Sequence, residues 1–127
     1  EWSRRSRGFT VYAALRNLGR SGVAELVERC CGHAHRLVTE IGDLDGAHVL
    51  AEPQINQGLV QFTSNEGNHD RRTDEVIAKI FASGEAWFGG TTWNGIRAMR
   101  VSVCNWRTTD EDVDRAIACV RGILAGV

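Results

Sequence analysis

Arg100 is the residue in this chain with the clearest chemistry. It stands in the run Arg97–Cys104, where Met99, Val101 and Val103 alternate with Ala98, Arg100, Ser102 and Cys104. A period of two puts the first set on one face of a strand and the second set on the other. The apolar face requires a core. The other face carries small residues around a single cation, which reads as buried. A planar guanidinium grips a carboxylate through two parallel hydrogen bonds, fixing orientation as well as charge. Ala98 and Ser102 leave room for such a ligand. The pattern leaves two readings open: a receptor for a negatively charged group, or a structural arginine, paired with an acid or exposed on a sheet edge.

No complete catalytic constellation accompanies it. The sequence has no GxSxG, no phosphate loop and no HExxH. His33 and His35, two apart on a helical stretch, point in different directions and make a poor metal pair. Gly89-Gly90 within a strand marks a bulge or a close backbone approach. Asn105 satisfies backbone groups at a strand end. Cys30, Cys31, Cys104 and Cys119 form no CxxC pair and no secreted-type framework, so all are expected as reduced thiols. Trp87, Trp93 and Trp106 gather around the stretch that holds Arg100, where they would pack a core or, favoured by the clustering, a surface buried against a partner.

The elements that must position these residues are legible in outline. Asn94-Gly95 separates the β-rich runs Ala86–Trp93 and Arg97–Cys104, a strong hairpin signal because both residues tolerate positive φ. Upstream, a short helix is expected over Thr10–Leu18, stopping at an αL Gly19. A second helix, capped by Ser21, carries Val23, Leu26, Val27, Cys30, Ala34, Leu37, Val38 and Ile41 as one apolar stripe. Strands follow over Ala47–Ala51 and Gly58–Thr63, then a loop over Ser64–Asp70. Thr73 is expected to cap a third helix with Val76, Ile77, Ile80 and Phe81 inward. Thr108 or Thr109 caps a last helix, Thr108-x-x-Glu111 fitting a capping box. The order α-α-β-β-α-β-β-α gives an α+β fold: a small antiparallel or mixed sheet with helices packed on one face and the other face free to meet another domain.

Bulk properties narrow the classes. A chain of 127 residues is enough for a single domain spanning 1–127. A net charge of -1 gives no reason to expect nucleic acid or a membrane surface, and no apolar run approaches a membrane span. A cytoplasmic location is expected. Arginine outnumbers lysine fourteen to one, the lysine being Lys79. The basic stretch 1–8 reads as a solvated leading segment or a dock for an acidic surface. A start at Glu1 without methionine reads as a fragment or a processed chain.

Ser3-Arg4-Arg5-x-Arg7 followed by Leu15-Arg16-x-x-Gly19, and Arg100-x-Ser102-x-x-Asn105 followed by a capped acidic helix start, resemble the C-terminal part of group II pyridoxal-phosphate-dependent amino-acid decarboxylases. The resemblance covers nearly the whole chain. It implies the small domain of an aspartate-aminotransferase-like, fold-type-I lyase, joined to a large domain that binds pyridoxal 5'-phosphate (PLP). It further implies a homodimer, with Arg100 meeting a substrate carboxylate. The family's histidine-lysine motif for the cofactor is missing here, so no cofactor is expected on this fragment and no activity from it alone. A free-standing α+β module binding an amino acid or a partner protein is the alternative. It would have no partner for its second sheet face and would be monodisperse alone.

Overall fold

The computed structural model describes residues 7–126; the leading arginine cluster and Trp2 lie outside them, apart from Arg7. The elements are α1 (Gly8–Gly42), β1 (Ala47–Ala51), β2 (Gln57–Phe62), α2 (His69–Ser83), β3 (Gly89–Trp93), β4 (Ile96–Ser102) and α3 (Asp110–Ala125). The two helices expected at the start are the two halves of α1, broken at Gly19 (φ 65°, ψ -175°). The break has the positive φ that glycine supplies, but its ψ is extended rather than αL. The order α-α-β-β-α-β-β-α therefore stands, with the first pair nearly continuous.

The strands form one antiparallel sheet in the order β1-β2-β4-β3. Asn94 (φ 50°) and Gly95 (φ 80°) both take the left-handed region between β3 and β4, as a two-residue hairpin of this twist demands. β4 is an interior strand, flanked by β2 and β3.

One sheet face supplies Val60, Phe62, Met99 and Val101, all fully buried. Ala34, Val38 and Ile41 of α1 and Val76 and Ile80 of α2 join them in the core. α3 packs against both α1 and α2, burying Val113, Ile117 and Val120. Gly58 is needed for this packing: a Cβ there would lie 2.8 Å from Val38 Cγ2 and 3.0 Å from the Ala51 carbonyl. The stripe on α1 is buried only from Cys30 onwards, and Val27 is exposed. The reason is the path of the helix, whose first half runs clear of the sheet and α3, with Gly8–Arg20 exposed throughout.

One helix start differs from expectation, and at the last helix Thr109, one of the two expected caps, is the N-cap. α2 begins at His69, and Asn68 is its cap, its Oδ1 accepting from Arg71 N at 3.1 Å. Thr73 lies inside the helix and is fully buried. Its Oγ1 accepts from Phe62 N at 3.0 Å, tying α2 to the last residue of β2. At α3 the capping box is one residue further on, between Thr109 and Asp112. Thr109 donates to Asp112 Oδ2 from both its N–H (2.9 Å) and its hydroxyl (3.0 Å). These bonds, backbone first, hold the Asp112 carboxyl below its ordinary range. Arg36 clamps α1 to α3, reaching Asp114 at 2.7 Å, Asp110 at 3.1 Å and Glu40 at 2.9 Å. The Asp114 and Glu40 hydrogen bonds raise its already high pKa.

Candidate functional site

The helix-free face of the sheet positions Arg100. Strand register sets Leu59 of β2 on one side of it and Gly89 of β3 on the other. Ala98 and Ser102 precede and follow it on the same face. Arg100 is exposed, where the alternation had suggested burial. The reason is architectural: α1 and α2 cover the opposite face, and no described element covers this one. Ala98, on Arg100's own face, is nevertheless fully buried; its cross-strand partner is Thr91.

Arg100 takes no ion pair among the described residues and no edge position in the sheet. The ion pairs among the described residues involve Arg36, Arg71, Arg97, Arg115 and His33, and none includes Arg100. Nor does Arg100 lie on a sheet edge, because β4 is interior. The contrast with Arg97 on the same strand is instructive. Arg97 points to the helix side and is held by Asp74 at 2.7 Å. Arg100 points away and keeps its fork free of protein carboxylates among the described residues. An uncommitted guanidinium on a rigid interior strand can receive a carboxylate in a fixed orientation.

At the far end of β4 a recess of about 230 Å³ lies between Trp87, Phe88 and Asn105 on one side and Leu37 of α1 and Val113 and Ala116 of α3 on the other, and Arg100 does not line it. Asn105 closes the turn beyond it, as expected: its Oδ1 accepts from Arg107 N at 3.0 Å. Asn56 fixes the same strand end, a role sequence reading missed. Its side chain donates to the Val103 carbonyl at 2.8 Å, and its own carbonyl accepts from Val103 N at 3.0 Å. An asparagine just before a strand was the available signal.

The histidines and cysteines form no site. His33 is buried, with Nδ1 3.7 Å from Asp110 Oδ1 and no partner for Nε2 among the described residues. His35 is exposed, and no group of three potential metal ligands occurs among the described residues. The four cysteines are free thiols. Among the described residues no helix is long and apolar enough to cross a membrane. The three described tryptophans are exposed, Trp87 to 70%, Trp106 to 68% and Trp93 to 45%.

The residues present do not fit an aldehyde cofactor held as a Schiff base. Lys79, the chain's one lysine, is exposed on α2. That helix packs on the face opposite Arg100, so no lysine stands beside the guanidinium.

A four-stranded antiparallel sheet with helices on one face is a domain fold found within solved decarboxylase structures. The chain superposes on the glutamate decarboxylase domain of a diaminobutyrate-pyruvate transaminase and L-2,4-diaminobutyrate decarboxylase from Vibrio parahaemolyticus with a TM-score of 0.75. Identity is 18%, over 92% of this chain and 25% of that one. Against Catharanthus roseus tryptophan decarboxylase the TM-score is 0.82 at 12% identity, over 92% and 26%. Against Oryza sativa TDC, solved with PLP and tryptamine, it is 0.86 at 16% identity, over 97% and 27%. The chain thus spans about a quarter of the length of these structures. At these identities the likeness is one of fold. No family model matches the chain, and no curated protein matches it in sequence.

Proposed function

We propose that this chain is the C-terminal small domain, spanning residues 1–127, of a PLP-dependent amino-acid decarboxylase. Its task is to orient the substrate, and Arg100 is the substrate-binding residue. The observation that carries the reading is the combination of a decarboxylase-domain fold over 97% of the chain with an arginine on its open face that meets no acid among the described residues. The large domain of the same polypeptide lies against that face and holds the cofactor, consistent with the position of Lys79. The active enzyme is a cytoplasmic homodimer, and the small domain is inactive alone.

In this arrangement Arg100 pairs with a carboxylate of the amino acid. A strong grip on the departing carboxylate would stabilise the ground state and slow the loss of CO2, so the contact orients rather than holds. The test is Arg100→Ala in the full-length enzyme. Losing a charge-assisted pair is expected to lower kcat/KM by about 10- to 100-fold while the cofactor absorbance stays intact. Unchanged kinetics would remove Arg100 from the site.

A further inference from the structure

Gly89 lies directly across the strand from Arg100. Three glycines of the sheet can be compared by what a side chain would meet. At Gly58 a Cβ would run into Val38 and backbone, so packing keeps it small, whereas at Gly90 it would meet the movable end of the Arg97 side chain. At Gly89 the nearest atoms are the tips of two long side chains, Arg100 Nη2 at 3.8 Å and Trp87 Cη2 at 3.9 Å. Its φ is not positive, so no turn demands glycine there either. What glycine provides at this position is open floor beneath a cation and an indole edge.

Resting on the reading of Arg100 as a carboxylate receptor, we propose that Trp87 and Gly89 complete its site and set its specificity. Arg100 takes the carboxylate, Trp87 takes a flat apolar group attached to it, and Gly89 leaves the space between them. The indole and the guanidinium both lean over one point, so a ligand no larger than a small aromatic acid touches both. Trp87 is mostly exposed, which leaves its ring free for that contact. An indole against a flat ring adds about a tenfold preference over an acid that has no ring.

The 127-residue chain, labelled with nitrogen-15, tests this by NMR, following the Trp87 indole N–H and the Arg100 Nε–H as benzoate, acetate and benzyl alcohol are added. The dispersion of each spectrum reports that the variant is folded. Benzoate is expected to move both signals and to bind about tenfold more tightly than acetate. Benzyl alcohol is expected to leave the Arg100 signal in place. Trp87→Leu should erase the advantage of benzoate while acetate still binds, and Gly89→Ala should weaken both acids by narrowing the floor. If Trp87→Leu keeps the benzoate preference, or Gly89→Ala changes neither affinity, the inference fails and the reading of Arg100 stands. If neither acid moves the Arg100 signal, the reading of Arg100 fails, and the inference with it.

Discussion

At the scale of single residues, β4 separates two arginines by the face each occupies. Arg97 is neutralised by Asp74 on the helix side, while Arg100 meets no acid among the described residues. Alternation in the sequence is enough to place Arg100 opposite Met99, Val101 and Val103. It does not reveal whether that face is covered, because coverage depends on where α1 and α2 pack, which is a tertiary matter. Charge and geometry at Arg100 are separable. Arg100→Lys in the full-length enzyme keeps the charge and loses the two-pronged fork. Steady-state kinetics are expected to show kcat/KM nearer to Arg100→Ala than to the unaltered enzyme; full activity in the lysine variant would mean that charge alone suffices.

At the scale of elements, the helix ends show where local signals decide and where they compete. The αL glycine at Gly84 and the Asn-Gly turn follow from residue chemistry that has few alternatives. The start of α2 does not. Thr73 followed by two acids looks like a cap, yet Asn68 captures the first turn, which frees Thr73 to bond Phe62 from within the helix. At α3 two adjacent threonines offer two registers, and the box closes on Asp112 because Thr109 reaches it with two donors. Thr109→Ala is expected to cost about 1 kcal/mol of stability at neutral pH. The Asp112 carboxyl is held below its ordinary range in the folded chain. Its contribution is therefore present above the unfolded value of about 4 and is lost as pH falls through the folded one. Denaturant melts across acidic pH should show that loss, with a flatter pH dependence in Asp112→Asn; an equal slope in both would contradict the box as a source of acid sensitivity.

At the scale of the whole molecule, the fold is one layer of sheet and one side of helices, and what it leaves uncovered is as informative as its core. The open sheet face holds Arg100. The first half of α1 exposes Phe9, Val11, Tyr12 and Leu15, all more than half accessible. A helical segment this short and this apolar gains little stability without packing. The α+β class and element order were legible because helical and strand periodicities bury different faces. The swing of α1 at Gly19 was not, since its cause is a ψ value that residue type does not specify. Exposed apolar helix, exposed tryptophans and an open sheet face fit a domain that completes its burial against more of the same chain. The most direct measurement is the reading frame that encodes this chain, sequenced through its upstream flank. The account predicts an uninterrupted coding stretch about three times as long as this chain, in keeping with the quarter of its structural relatives that it spans, and containing a histidine-lysine pair. An initiator codon immediately ahead of Glu1 would contradict it and leave a free-standing binding module in its place.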